Sequence, residues 1–260
     1  MEEIITYEVR DQIAYITLNK PEVGNCINLI LTNQMFEILL RAAKDETAKV
    51  VVLQGMGNAF CTGGDVPRMG SLEGVAVQYD EIHGSGRVIK LMVTMEKPIL
   101  CAVQGFAAGA GLGLALAADL VICEKSAKFM TAFSNVGLAS DCGAAYLLTK
   151  AVGRHKAKEL LLLSDVISAE EMYRLGIVSK IAEDGMLEKE VNIVAKRLLK
   201  RPDFASRMIK NLVNRSDDMN LEASIVYEES LQTMLMNTED FREGTVAFLQ
   251  KRQPVYGKDR

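Results

Sequence analysis

Two stretches of small residues each follow directly on an apolar run, and backbone amides left open in such stretches can hold a developing negative charge. The first covers 55–65 (GMGNAFCTGGD) after the run 50–54, and the second covers 104–113 (QGFAAGAGLG) after the run 99–103. In α/β proteins the carboxyl ends of buried strands open into the crevice where ligands sit, and glycine or alanine lets a ligand atom approach the main chain. The second stretch runs into an apolar helix expected at 110–118, whose first N–H groups lack an intrahelical acceptor and lie at the positive dipole end. Three readings of this stretch compete. Dinucleotide binding asks for G-x-G-x-x-G, but the glycines fall at 109, 111 and 113 and Leu114 occupies the last slot. Close helix–strand packing through small residues is the second. The third is an oxyanion site, two backbone N–H groups, one from each stretch, converging on a carbonyl oxygen. Repetition of the strand-then-loop pattern favours the third.

Acid–base chemistry needs a titratable side chain near those amides, and Asp141 within 136–145 (VGLASDCGAA) is the candidate. It either caps a helix expected at 142–150 or works as a base. Cys142 at the same helix start is either a stabilised thiolate or core packing, and with no histidine partner in view it reads as packing. Asp65 reads as an N-cap, and Met35, Met69, Met92, Met95 and Met130 as core or pocket lining. With only His83 and His155, and no G-x-S-x-G, an elbow-type Ser-His-Asp hydrolase is not expected. Cysteines 26, 61, 101, 123 and 142 contain no C-x-x-C, which predicts a reduced, cytoplasmic protein with no zinc site.

The elements that must hold these residues alternate in type and then become helical. Strands are predicted at 4–9 and 13–18, joined at Arg10-Asp11-Gln12, and at 50–54, 99–103, 120–123 and 177–181. Helices are predicted at 28–44, with Leu31, Met35, Ile38, Leu39 and Ala42 on one face, and at 75–95. Beyond Gly185 the pattern gives helices at 186–200, 204–214, 221–236 and 239–250, hence an α/β core over 1–185 and a helical region over 186–260. With 260 residues, 49% hydrophobic and 25% charged, the chain has an ordinary globular composition. Its net charge of −4 argues against a general nucleic-acid binder. Gln104, Asp119 and several glycines break the apolar stretch 99–123, so no membrane span is expected, and the acidic opening that leads into a strand predicts no signal peptide.

The segments 59–65 (AFCTGGD), 102–111 (AVQGFAAGAG), 119–122 (DLVI), 151–154 (AVGR) and 242–252 (REGTVAFLQKR) resemble the enoyl-CoA hydratase/isomerase, or crotonase, superfamily. The resemblance runs in the family's order from about Ile4 to Arg252. It implies an α/β spiral of ββα units with a C-terminal helical trimerisation region, in homotrimers or hexamers. It implies an acyl-CoA thioester as substrate, with coenzyme A as part of that substrate and no permanently bound cofactor. The thioester oxygen would then accept hydrogen bonds from the backbone N–H of Cys61, an alignment good to one residue, and of Ala110. Ala59, Phe60, Gly63, Gly64, Asp65 and Gly109 are the loop residues around it. Lys20, Val23 and Asn25 belong to the segment that contacts coenzyme A in the family, and Phe248 and Lys251 match residues that close its adenine end.

The resemblance also marks a departure. The two glutamates by which family members hydrate a double bond fall at Gly113 and Phe133, so ordinary hydration is disfavoured. Asp141 matches the aspartate of isomerase-type members, in which one carboxylate lifts a proton from one carbon and returns it two bonds away. Its surroundings, including Ala139, Ala144, Phe133 and Leu138, should raise its pKa. Haloaryl-CoA dehalogenases of the superfamily carry a nucleophilic aspartate at the same position, with a histidine and an indole that here fall at Gly86 and Phe133. His83, three residues before Gly86, is the one substitute base, and it reads as a surface histidine. Isomerisation therefore ranks first, with hydration, dehalogenase-like hydrolysis and a non-catalytic CoA-binding homologue as alternatives.

Overall fold

A computed structural model of the chain describes residues 3–216 and 218–257. Its strands are β1 (Ile5–Arg10), β2 (Ile13–Leu18), β3 (Val50–Gly55), β4 (Ile99–Val103), β5 (Phe106–Ala108), β6 (Leu120–Glu124), β7 (Lys128–Met130), β8 (Ile167–Ser168) and β9 (Val178–Ala182). The helices are α1 (Leu29–Lys44), α2 (Val66–Ser71), α3 (Val75–Thr94), α4 (Ala110–Ala117), α5 (Ala144–Leu163), α6 (Ala169–Arg174), α7 (Leu187–Leu199), α8 (Asp203–Ser216), α9 (Leu221–Leu235) and α10 (Glu239–Leu249). Six strands form the main sheet in the order β1-β2-β3-β4-β6-β9. Only the β1–β2 pair is antiparallel, turning through Asp11 and Gln12 at positive φ. The other pairs are parallel, and parallel strands are covered on both faces, which accounts for the unbroken burial of β2 and β4.

Each face has its own core. Ile16, Leu53, Cys101 and Val121 point to one, where Met35 and Leu39 of α1, Met92 of α3 and Leu112 of α4 close the packing. Ile13, Val52, Leu100 and Ile122 point to the other, beneath Val191 and Ala195 of α7. The helical region expected from residue 186 therefore begins with a helix that seals the sheet.

The sequence pattern did not give the three-stranded sheet β5-β7-β8, whose strands are two or three residues long. It is the feature that fixes the second loop: β5 pairs with β7 in the register Phe106↔Lys128, Ala107↔Phe129, Ala108↔Met130. The helix expected from 142 starts at Ala144 and continues to Leu163, broken by non-helical backbone at Gly153. Among the described residues no helix is long and apolar enough to cross a membrane.

Candidate active site

The two small-residue loops meet along a seam. Cys61 and Ala107 form an isolated parallel bridge. Cys61 N–H donates to the Phe106 carbonyl at 3.0 Å, and Ala108 N–H donates to the Cys61 carbonyl at 3.0 Å. The approach is so close that a Cβ on Gly111 would stand 2.3 Å from the Cys61 oxygen, so only glycine fits there. Beyond the seam Gly63 and Gly64 from one loop and Gly109 and Ala110 from the other border a single cavity of about 110 Å³.

Two amides in that wall are available. Among the described residues, neither Gly64 N–H nor Ala110 N–H donates to a protein acceptor. Ala110 opens α4, so its N–H has no partner inside the helix, and Gly109 turns the chain into it at φ 51° and ψ −118°. Cys61 is corrected here. It is completely buried, and its N–H is spent on the seam, so the first-loop amide left open beside the cavity is that of Gly64, three residues further on. The sequence motif located the loop but not the residue, because the Cys61–Phe106 bond depends on the unforeseen strand β5.

Asp141 lines the same cavity. It does not cap α5: the N-cap is Gly143, without a side-chain cap bond, and Asp141 contributes only its backbone carbonyl to Ala144 N–H at 2.9 Å. Its carboxylate Oδ1 is buried and has no hydrogen-bond partner. Burial pushes the Asp141 carboxyl above its usual pKa, against a smaller opposing effect of the neighbouring Cys142 thiol. Cys142 is buried at φ 50°, and burial followed by the adjacent Asp141 charge raises its thiol pKa well above the usual value. A reactive thiolate is thus disfavoured, as the packing reading expected.

Position 113 explains the missing glutamate in physical terms. A Cβ at Gly113 would lie 2.6 Å from the Cys142 Cβ and 2.9 Å from the Cys142 carbonyl oxygen. The backbone that presents Asp141 occupies the space a side chain at 113 would need. Phe133 lines the cavity as an apolar wall together with Ile27, Val136 and Leu138.

Other expected residues sit elsewhere. Phe60 is fully buried core. Asn25, also fully buried, is a staple: its Oδ1 accepts from Lys20 N–H at 2.9 Å, and its Nδ2 donates to the carbonyls of Met56 and Ala59 at 2.9 Å and of Phe60 at 3.2 Å. Neither side chain can touch a ligand, and Ala59 enters as an acceptor in this staple. Lys20, ion-paired with Glu22 at 3.5 Å, and exposed Val23 belong to the neighbouring turn, which abuts the cavity through the Thr62 N–H bond to the Gly24 carbonyl. Asp65 caps α2, accepting from Arg68 N–H at 3.1 Å. Phe248 is 82% exposed and borders a separate cavity between α8 and α10; Lys251, just after α10, is exposed too. His83 stacks on Tyr79 with ring centroids 5.3 Å apart and is not among the residues lining the cavity.

Glu81 and Ser85, one helical turn apart on α3, line the cavity and were not foreseen. The signal was present: both fall on the stripe shared with Val88, Ile89 and Met92 that α3 turns inward, and a carboxylate on an apolar stripe needs a partner. Glu81 accepts from Leu29 N–H at 2.8 Å and from Arg68 Nε at 3.2 Å. Among the described residues no cluster of three or more His, Cys, Asp or Glu is arranged to hold a metal ion.

Comparison with known proteins matches residues 8–259 to the family model described as enoyl-CoA hydratase/isomerase. The chain is 34% identical to a 1,2-epoxyphenylacetyl-CoA isomerase of Escherichia coli, over 98% of this chain and 99% of that one. It is 36% identical to a probable enoyl-CoA hydratase of Rhodobacter capsulatus, over 97% of each. Among solved structures, an enoyl-CoA hydratase from a Polaromonas strain superposes with a TM-score of 0.94 at 33% identity, covering 97% of this chain and 99% of that one.

Proposed function

This chain belongs to the enoyl-CoA hydratase/isomerase family and has its crotonase-type α/β fold, and from that premise we propose that it is an acyl-CoA isomerase that shifts a double bond with Asp141 as its single proton carrier. The observation that carries this reading is the Asp141 carboxylate. It faces the cavity bordered by the free Gly64 and Ala110 amides, its Oδ1 is unpartnered, and it does no capping work. A desolvated carboxylate of raised pKa is a stronger base once ionised.

The reaction follows from that arrangement. A 3-enoyl thioester seats its carbonyl oxygen between the N–H groups of Gly64 and Ala110. Asp141 takes a proton from the carbon next to the carbonyl. The C–H electron pair becomes a double bond to the carbonyl carbon and the carbonyl π pair moves onto oxygen, giving a dienolate in which the original double bond is conjugated. The two amides stabilise this charge; losing one such donor typically costs about 10²–10³ in rate. Asp141 then returns the proton to the carbon two bonds further along, giving the 2-enoyl thioester. No water is activated, so no second carboxylate is required. Hydration would need one; position 113 has no space for it, and the other carboxylate of the cavity, Glu81, is engaged by Leu29 N–H and Arg68. The Escherichia coli relative is named an isomerase of an epoxide-bearing CoA thioester, which supports isomerisation as the reaction class without specifying a double-bond shift, and the hydratase name of the Rhodobacter relative makes hydration the alternative to test.

Coenzyme A enters as part of the substrate. Exposed apolar side chains on the last helices, among them Leu221, Phe248 and Leu249 at 77%, 82% and 74% exposure, support assembly into a homotrimer or hexamer, which light scattering would measure.

The deciding experiment is Asp141→Asn assayed on straight-chain 3-enoyl-CoA and, in parallel, on 2-enoyl-CoA with water. We expect the native protein to isomerise the first, and the variant to lose about 10³-fold in kcat. Isomerisation surviving within tenfold, or hydration outpacing isomerisation in the native protein, overturns the proposal.

A further inference from the structure

The wall of the acyl cavity on the side of α2 is held by charge rather than by burial. Val66 and Met69 of α2 line the cavity, yet none of the six residues of α2 is buried. A Cβ at Gly70 or Gly74, on either side of its end, would meet nothing within 4 Å. By contrast α1, next to it, buries Leu31, Met35, Leu39 and Ala42. An element with few buried apolar contacts opens at low free-energy cost unless specific bonds hold it. Among the described residues, backbone groups at the two caps of α2 are held by Asp65 N–H donating to the Ile27 carbonyl at 2.9 Å and by Gln78 Nε2 of α3 donating to the Leu72 carbonyl at 3.0 Å, and two side-chain ties add to them. At its start the Asp65 cap accepts from Asn28 Nδ2 at 3.3 Å. In its middle Arg68 reaches across to Glu81, with Nε at 3.2 Å and the terminal nitrogen at 3.2 Å from Oε2.

Glu81 is suited to be the fixed half of this tie. Its side chain is 5% exposed, against 36% for Arg68. It is anchored separately by Leu29 N–H, at the start of α1, and belongs to the inward stripe of α3. The carboxylate is therefore a rigid post, and Arg68 is the movable arm attached to α2. We infer that the Arg68–Glu81 ion pair latches α2 against α3 and so sets the size of acyl group the cavity accepts. With the latch closed the cavity is about 110 Å³, with Val66 and Met69 on its α2 side. An acyl chain that outgrows the space on that side displaces Val66 and Met69 and with them α2. Arg68 and Glu81 act here as positioning residues, their charges engaged with each other. The inference rests on the cavity being the acyl site of a CoA thioester.

The test uses Arg68→Met and Arg68→Lys in the full-length protein, with hexanoyl-CoA and dodecanoyl-CoA as probes. Both are saturated and bind without reacting, so calorimetric Kd values do not depend on the isomerase assignment. In the native protein hexanoyl-CoA should bind more tightly than dodecanoyl-CoA. Arg68→Met should weaken hexanoyl-CoA at least fivefold while leaving dodecanoyl-CoA unchanged or tighter, and Arg68→Lys should restore at least half of the native preference. Amide hydrogen exchange of 66–71 should accelerate at least tenfold in Arg68→Met while that of α1 stays constant. On 3-enoyl substrates of the same lengths the change should appear in KM, with kcat within threefold of native. An unchanged ratio of the two Kd values, or unchanged exchange across 66–71, overturns the latch. A native protein that binds neither thioester overturns the reading of the site and the size-selection role with it, whereas the exchange measurement still decides whether the ion pair holds α2.

Discussion

Asp141 is a half-buried carboxylate whose Oδ1 finds no hydrogen-bond partner. Burial raises its pKa, so between the ordinary aspartate value of about 3.9 and its own higher value the native state binds the proton that the unfolded chain releases. Stability from this group is complete below the ordinary value and is lost as pH rises through the native one. Asparagine carries no such penalty. Asp141→Asn should therefore match the native protein in thermal stability near pH 4 and exceed it at pH 7, even as it abolishes turnover, in the manner of a stability–activity trade-off. Equal melting temperatures at both pH values would mean that the carboxylate is well solvated after all. The same shift governs activity, since the base works only when ionised. The acid limb of kcat/KM should lie above the usual carboxylate range and vanish in the variant. Gly113 makes a complementary prediction. Gly113→Glu restores the glutamate by which hydratases of the family act, yet its Cβ would strike the Cys142 Cβ and carbonyl oxygen. Overpacking of this kind costs about 1–3 kcal/mol or more, and the variant should unfold at lower urea without gaining hydration of 2-enoyl-CoA.

At the scale of elements the site depends on loops that are held by side chains outside it. Asn25, at φ 55° and fully buried, bonds the Lys20 amide and three carbonyls of the loop that ends in Gly64. Asn25→Ala strands these groups, each buried one costing about 1–3 kcal/mol. We expect a loss of at least 2 kcal/mol by urea denaturation together with a fall in kcat larger than any change in KM, because a loosened loop misplaces the Gly64 donor. An Asn25→Ala protein with native kcat would separate the staple from the site. Such dependence also explains what could be read from the sequence. The runs at 50–54 and 99–103 became β3 and β4 because both faces are apolar, and the α1 stripe was legible from its helical spacing. Asp141 and Ala110, expected to be catalytic, both line the cavity, and local motifs carry them. The motif points to Cys61 rather than Gly64 as the open amide because that availability is decided by β5, a three-residue strand whose pairing to β7 leaves no periodic trace. Glu81 was passed over because its partner Arg68 lies thirteen positions away on a helix that buries nothing.

At the scale of the whole molecule, a half-buried charge pair is one of the ties between the sheet and α8. Lys210 of α8 extends its ammonium to Asp119 Oδ2 at 2.8 Å, with the Met92 carbonyl at 3.0 Å and the Lys97 carbonyl at 3.1 Å. Asp119 Oδ2 also accepts from Ile99 N–H at 2.7 Å, so the pair clasps the starts of β4 and β6 to α8 beside a groove of about 610 Å³. Burial is the largest influence on both members, raising the Asp119 pKa and lowering that of Lys210, with the partner's charge opposing it in each case. Neither charge recovers in the pair all it lost in leaving water. Removing one partner should therefore hurt more than removing both. Asp119→Ala leaves a buried ammonium and should cost about 3 kcal/mol, toward the low end for a buried pair because the Asp119 side chain keeps 24% of its surface exposed. Lys210→Met alone should be similarly damaging, since it strands the carboxylate. The double variant should lose clearly less than the sum of the two, a coupling that a double-mutant cycle by urea denaturation reads directly. Additive losses would mean that the two side chains stabilise the junction independently, Lys210 through the backbone carbonyls and Asp119 through Ile99, and that α8 is attached to the sheet by its apolar contacts rather than by this pair.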